Sequence, residues 1–472
     1  MKHSIILECM SDCDCADKPL LNNQAQIHYN ELPNNTSLGT DEVEITQFVK
    51  EADKLFDEND TYFDMTQSLE QLSNVLQTTQ TSEGMQSAEA RVLTNALECI
   101  LRPLKVQVKP VPALENFSSV VYRKQATQYA MEAVTETLGK MWDALVKFIK
   151  KIFESTKNFI KKVFDGNERL KDRIKNLKLK LKKYQSSEPK KKEIDLGSKA
   201  NTLTYDGKLI TAATCTTYAD NIVKTVEKLV TRTENSQKYI LNLCGSTKEF
   251  EKFKSIGSLL NETIILNDKE AKVDAGHEQV ADMKRYISEE LMGNKALVTT
   301  LPDLKGDAKT VQTLSASEYT KKLFDIGVKV TEFNPKQQPL TDDQAKTDIP
   351  TGQQMLKGVD TIEKITGLVE KGKKASSDAI KTMDTCLKIV NAQKSTMEDN
   401  DKSKDTAKMM KTFASKASSL SSKFVLTTNT LALSCAKQYL DYVDQCLNVY
   451  KDKMTDEEKK AEKEKSAQAQ PA

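Results

Sequence analysis

The sequence predicts an all-α protein, an elongated multi-helix architecture built around a long central amphipathic helix with at most a minor β-hairpin. Three observations carry this. Gly and Pro number only 16 and 11 among 472 residues while 29% are charged, which suits long solvated helices better than strands joined by turns. Apolar residues recur three and four apart over most of the chain. The alternation of a half-buried strand is confined to one short stretch between prolines, Leu104 to Lys109.

Taken in order, residues 1–42 read as a disordered acidic leader, with Asn22-Asn23, Asn34-Asn35, Pro19 and Pro33 and no sustained period. Residues 43–102 form an acidic helical region, with helices expected over 43–58, 62–80 and 86–101. Leu69, Leu72, Val75 and Leu76, then Val92, Leu93, Ala96, Leu97 and Ile100, supply its helical period. Prolines 103 to 112 break the run. Residues 113–185 form a long cationic amphipathic region in which Asp165-Gly166-Asn167 is a turn signal. A hydrophilic linker is expected over 186–215, where Asp206-Gly207 fits a small hairpin. The C-terminal bundle, 216–452, is read as helices at 216–243, 247–261, 268–292, 317–330, 353–371, 375–397 and 402–452. Residues 453–472, rich in Lys, Glu and Ala, read as a disordered tail.

Composition removes several function classes. Three histidines (His3, His28, His277) leave little material for His-centred catalysis or multi-His metal sites. Gly367-x-x-x-x-Gly372-Lys373 resembles the start of a phosphate loop, but Lys374 stands where Ser or Thr should bind magnesium, and the flanks read as helix. Cys9, Cys13 and Cys15 with His28 fit no familiar zinc spacing. Carboxylates abound without any privileged pair. No catalytic residue, cofactor, metal site or small-molecule substrate is therefore expected. Nine cysteines is an odd number, and Cys99, Cys215, Cys244, Cys386, Cys435 and Cys446 are scattered among apolar helical residues rather than spaced as a disulfide framework, which suits a reducing compartment. The run Ile5 to Leu7 is too short for a secretory signal, and no stretch approaches the roughly eighteen apolar residues of a spanning helix. A soluble chain made in the cytosol is the expectation.

The net charge of +2 hides a separation along the chain. Met1 to Glu89 holds 17 acids against 4 lysines, whereas Ala90 to Ala200 holds 25 Lys and Arg against 12 acids. Opposed blocks of this kind can fold onto each other, or one can mask the other until it is removed.

One helix concentrates the functional signal. Phe148-Ile-Lys-Lys-Ile-Phe153 recurs as Phe159-Ile-Lys-Lys-Val-Phe164, displaced by eleven residues, which is close to three helical turns. Leu138, Met141, Trp142, Leu145, Val146, Ile149, Ile152, Phe153, Phe159, Ile160, Val163 and Phe164 then fall within an arc of roughly 160°. Gly139 and Thr156 interrupt it. Lys140, Lys147, Lys150, Lys151, Lys157, Lys161 and Lys162 occupy the rest of the circumference. Trp142, Leu145, Ile149, Ile152, Phe153, Ile160 and Phe164 are candidates for a membrane or partner face, and Lys147, Lys150, Lys151, Lys157, Lys161 and Lys162 for a cationic face. Such a helix can lie in a bilayer interface, dock on a partner protein, or pack its arc onto the chain's own helices with the lysines as a solvated back. The continuation from Arg169 to Lys183 has a narrow stripe of Leu170, Ile174, Leu177 and Leu181 beneath Lys171, Arg173, Lys175, Lys178, Lys180, Lys182 and Lys183. That face could neutralise phosphates without sequence specificity, or simply be solvated.

The stretch from Ala113 to Phe164, with Ala-Leu-Glu-Asn-Phe, Tyr-Ala-Met-Glu-Ala and Met-Trp-Asp-Ala-Leu-Val-Lys-Phe-Ile-Lys-Lys, resembles the internal head proteins of large tailed bacteriophages. The resemblance implies a protein packed inside the capsid with the DNA, in some cases ejected into the host. It also implies trimming by a prohead protease after a Glu preceded two residues earlier by a small residue. Ser87-Ala88-Glu89 is similar to that motif and lies where the acidic block ends, although Ser68-Leu69-Glu70 and Ser186-Ser187-Glu188 match equally in letters.

Together these readings give a non-enzymatic structural protein of the virion interior, made in the host cytoplasm, with other virion proteins as partners. Its cationic amphipathic helix is expected to contact packaged DNA, an anionic membrane surface or a partner protein. The alternatives are a lipid-binding or pore-forming helical protein unrelated to virions, and an enzyme with an unrecognised site in the C-terminal bundle.

Overall fold

The computed structural model describes residues 40–102, 117–189, 191–245, 269–270, 283–302, 327–392 and 401–451. The leader up to residue 39, the Leu104 to Lys109 stretch, the helix expected at 247–261, the Cys9, Cys13, Cys15 and His28 group, and the tail from 453 lie outside these residues. The described chain is mostly helical with small antiparallel sheets.

The described chain divides into two compact units, residues 50–154 with 390–392, and residues 40–49 with 155–389 and 401–451, so that the helices over Thr40–Thr81 and Val120–Lys183 each contribute to both. In the first lie most of α1 (Thr40–Thr81), one continuous helix where two were expected, and α2 (Ser87–Leu101), which follows a short turn. Glu89 helps to start α2, since its carboxylate accepts the Gln86 backbone N–H at 2.8 Å. The long helix α3 (Val120–Lys183) contributes its first part to this unit. Two contacts fix how α1 meets it. Tyr62 stacks on Phe148 with ring centroids 4.6 Å apart, and the Met85 N–H donates to Thr127 Oγ1 at 2.7 Å. Tyr62 within α1 thus meets a later part of α3 than Met85 does in the turn after α1, so the two helices run antiparallel. Gly84 makes the return possible: its φ is +80°, and a Cβ there would stand 2.6 Å from the Arg123 carbonyl carbon.

The Asp165-Gly166-Asn167 turn signal does not end the helix, because α3 continues through it to Lys183. Asn167 is buried and donates to the Thr366 carbonyl at 3.1 Å, and Ile174, Leu177 and Leu181 are buried beyond it. Tertiary packing of that stripe outweighs the roughly 1 kcal/mol that Gly costs a helix.

The second unit is built on α4 (Cys215–Gly245), α5 (Gly352–Lys371) and α7 (Asp401–Lys451), which pack on one another, with α6 (Lys373–Ala392) following α5. α5 is capped by Thr351, whose hydroxyl accepts the Gln354 N–H at 3.2 Å while its own N–H donates to Gln354 Oε1 at 2.9 Å. Every residue of α7 from Phe413 to Ser422 is buried, although the run is mostly Ala and Ser.

The 186–215 segment is more structured than a linker. It holds strand β1 (Glu193–Asp195), a 3-10 turn over Gly197–Leu203, and the hairpin of β2 (Thr204–Tyr205) and β3 (Lys208–Leu209). Asp206 and Gly207 have φ values of 50° and 69°, as a two-residue hairpin turn requires.

The described parts of residues 269–332 depart further from expectation. Within the helices expected at 268–292 and 317–330, the described residues include β4 (Lys269–Glu270), β5 (Met283–Ile287) and the first part of β7 (Gly327–Glu332), and with β6 (Lys295–Pro302) these form an antiparallel sheet in the order β4-β5-β6-β7. β-Branched Val and Thr dominate Val298 to Thr300 and Val328 to Thr331. Ile287, Ala296 and Val298 form the sheet's small core with Phe333 against it. Strand β8 (Lys346–Asp348) returns to pair with β1. Arg232 of α4 ties the sheet to the helices: it is buried, donates to Thr299 Oγ1 on β6, and its guanidinium carbon stands 6.0 Å from the Phe424 ring of α7.

Candidate functional site: the two faces of the long helix

The structure covers most of the apolar arc of α3. In the first unit Trp142 is 6% exposed, Leu145 and Ile149 are 0%, Ile152 is buried and Phe153 is half-buried. Phe148, on the flank of the arc, receives Tyr62 on its ring. In the second unit Phe159 and Val163 are buried, and Ile160 and Phe164 are half-buried. Lys373 places its ammonium 4.9 Å from the Phe164 ring centroid. Thr156, the polar interruption, is buried and donates to Ser422 Oγ at 3.0 Å. In this conformation Trp142, Leu145, Ile149 and Ile152 in the first unit and Phe159 and Val163 in the second are buried, while Phe153, Ile160 and Phe164 keep part of their surface. The physical reason is the magnitude: each large apolar side chain gains about 1.5–3 kcal/mol on full burial.

The opposite side is wet. Lys147, Lys150 and Lys151 of the first unit are exposed, as are Lys157, Lys161 and Lys162 of the second. Lys151 lies 5.0 Å from the Phe148 ring centroid, so its alkyl stem runs along the apolar boundary with its head in water. Lys140 is paired with Glu136 at 2.7 Å.

The cationic continuation has a different fate. Arg173 bridges Asp441 and Asp444 of α7, both at 2.6 Å. Lys178 bridges Asp360 and Glu363 of α5, again at 2.6 Å. Lys171 pairs with Glu370 of α5 and with Glu168. Hydrogen bonds from Glu370 and then Glu168 raise the Lys171 pKa. For Arg173 and Lys178, burial pulls the pKa down, but hydrogen bonds and charge from the paired carboxylates outweigh it and leave both raised. Lys171, Arg173 and Lys178 hold α3 to α5 and α7, while Arg169, Lys175, Lys182 and Lys183 of the stretch are exposed. Spacing could not distinguish the two fates, because the acids on α5 and α7 lie about 180 to 270 positions away in the sequence.

The remaining candidates fall on ordinary structure. Gly367 and Gly372 sit in the last turn and cap of α5, where Gly372 N–H donates to the Leu368 carbonyl at 3.0 Å, a helix end rather than a phosphate cradle. Ser87, Ala88 and Glu89 form the first turn of α2: Ala88 is exposed, Ser87 and Glu89 are half-buried, and Ala90 is buried. Among the described residues no group of His, Cys, Asp and Glu is arranged to hold a metal ion, and no helix is long and apolar enough to cross a membrane.

A buried polar corner that sequence reasoning missed lies beside the β2–β3 hairpin. Glu290 is 6% exposed and accepts the Asp206 N–H at 2.8 Å, with Tyr205 and Tyr218 edge to face at 5.2 Å nearby. Burial pushes the Glu290 carboxyl up to about 7, against the Asp206 N–H, whose hydrogen bond favours the charged form. No spacing signal marks it, because the hairpin and the β5–β6 turn meet only in the fold.

Comparison with known proteins adds the decisive datum. Neither a curated protein nor a solved structure matches the chain. The sequence profile of the phiKZ-like phage internal head proteins, however, matches residues 40–445, which takes in the long helix between residues 120 and 183 and all of the described residues except 446–451. The resemblance read from residues 113–164 thus extends over most of the chain, which belongs to the phiKZ-like phage internal head proteins, structural components of the virion interior.

Proposed function

We propose that this internal head protein lies against packaged DNA through the exposed lysines of α3, binding the phosphate backbone without sequence specificity and catalysing nothing. One observation supports this above others: the apolar side of α3 is spent on the protein's own packing, while Lys147, Lys150 and Lys151 in one unit and Lys157, Lys161 and Lys162 in the other face solvent. Lysines without aromatic interleaving offer charge neutralisation and counterion release, and no base readout. The test is binding of the full chain to a fluorescent 30-base-pair duplex between 50 and 200 mM salt. Affinity should fall with a log–log slope of about −0.9 per neutralised phosphate. Replacing Lys147, Lys150 and Lys151 together by Gln should make that slope shallower by about 2 to 3, with the thermal midpoint unchanged. An unaltered slope in a folded variant refutes the proposal.

A second reading is favoured by the Tyr62–Phe148 contact. α1 is an acidic helix whose Tyr62 lies on Phe148 at the flank of the arc, and Glu89 follows it. In this reading a cut after Glu89 frees the segment holding α1 and opens the surface around Trp142 to an anionic membrane or to another virion protein. Chain cut after Glu89, mixed with phosphatidylglycerol vesicles, should then show a blue shift of Trp142 emission that the uncut chain lacks; equal spectra for the two remove this reading.

A further inference from the structure

Cys244 ends α4 and Cys386 lies in α6, 142 positions later in the chain, yet their Sγ atoms stand 3.5 Å apart. Both belong to the second unit, and both are buried, at 3% and 0% exposure. Both are free thiols. We propose that they are a latent disulfide, kept as a dithiol while the protein is made and packed in the reducing host cytosol and closed once the virion is outside the cell.

The geometry carries the proposal. Two sulfurs at 3.5 Å are in van der Waals contact, and bonding at about 2.05 Å asks for an approach of about 1.5 Å, within the reach of side-chain torsions at the end of a helix. Nothing else claims the pair, since the described residues hold no candidate metal cluster. The setting supplies the change of conditions: a phage protein is made among reduced thiols, and a released particle meets an oxidising medium.

The chemistry is ordinary exchange with a small disulfide such as oxidised glutathione. One cysteine, as its thiolate, attacks a glutathione sulfur, forming a mixed disulfide and releasing one reduced glutathione. The second cysteine loses its proton and attacks the bound protein sulfur, releasing the other. The pair gives up two electrons and two protons, and the oxidant becomes two thiols. Burial, and the hydrogen bond between the two groups, hold the Cys386 thiol well above the usual range, so little thiolate is present and closure is slow. Slowness protects the dithiol during assembly. Once closed, the bond joins α4 to α6 across all the chain between, which includes the four-stranded sheet and α5.

The experiment uses the full chain, purified in reductant and then held with oxidised glutathione without oxygen. Samples are quenched in acid, denatured, alkylated and mapped by mass spectrometry. A peptide joining Cys244 to Cys386, two hydrogens lighter than its reduced parts, is expected, with a rise of about 5 °C or more in the thermal midpoint that dithiothreitol reverses. Cys386→Ser should lose both. Recovery of Cys244 and Cys386 as alkylated thiols or separate glutathione adducts, while half-buried Cys99 is modified in the same sample, overturns the proposal. Should Cys386→Ser fail to fold, the wild-type map decides alone. The outcome is independent of DNA binding, which reads different residues.

Discussion

Gly358 of α5 is a tight spot in the second unit, and replacing it by Ala should weaken that unit measurably. A Cβ at this position would stand 1.8 Å from the Tyr439 hydroxyl oxygen and 2.8 Å from its Cζ, where ordinary contact begins near 3.4 Å. Tyr439 cannot simply yield: it is fully buried on α7, and its hydroxyl donates to the Cys215 carbonyl at 3.1 Å. Moving the ring costs about 1–3 kcal/mol of overpacking and about 1 kcal/mol for the hydrogen bond. Helix propensity returns about 1 kcal/mol in favour of Ala. The net loss is about 1–3 kcal/mol, which lowers the thermal midpoint by roughly 3–10 °C for a unit of this size. Tyr439→Phe alone should cost about 1 kcal/mol. Because it deletes the atom at 1.8 Å, the double variant should be more stable than the sum of the two losses by about 1 kcal/mol or more. Calorimetry of the four proteins completes the cycle. A Gly358→Ala protein as stable as wild type, or strict additivity in the double variant, would refute this account of α5 against α7.

Ile149→Ala, on the covered side of α3, should lose about 2–5 kcal/mol in urea titration, whereas Lys150→Gln one position on should stay within about 0.5 kcal/mol. Equal effects would mean that the arc is not a core. Glu290 predicts a pH effect. Its folded pKa of about 7 lies above the usual carboxylate value, so its stabilising contribution is complete below about pH 4.5 and is lost as pH rises through 7. Midpoints measured at pH 5 and pH 8 should differ less in Glu290→Gln than in wild type. Arg173→Gln should cost about 1 kcal/mol after solvent screening, with the penalty shrinking in 1 M salt, because its two aspartates are themselves partly exposed.

How much of this was readable in advance depended on how local the cause was. The long helix was legible, since its period and its eleven-residue repeat are properties of neighbouring residues. The Asp206-Gly207 hairpin was legible too, because positive φ at two successive positions selects such a pair. The continuation of α3 through Gly166 was not, because what holds it there is the Thr366 carbonyl on a distant helix. The strands at 269–270, 283–287 and 327–330 stand where helix was expected, and β6 at 295–302 was read as no regular element. The apolar runs of these strands are short, and short runs do not separate strand from buried helix by period alone. At the candidate site, sequence separated apolar from cationic sides correctly in composition. It left open which side meets the outside, since that depends on whether Tyr62 and its neighbours come to lie there.

The wholly enclosed stretch of α7 from Phe413 to Ser422 bears on how the protein is born. A ribosome delivers this helix after α3, α4, α5 and α6, yet it fills the middle of the unit they build. Until it emerges, those earlier helices must wait with greasy sides uncovered, a state in which nascent chains stick to one another. The Ala and Ser side chains suit a late arrival, since a slender helix can slide into a half-formed bundle where a bulky one would jam. A messenger that stops short of codon 413 should accordingly yield an insoluble product rather than a smaller working protein.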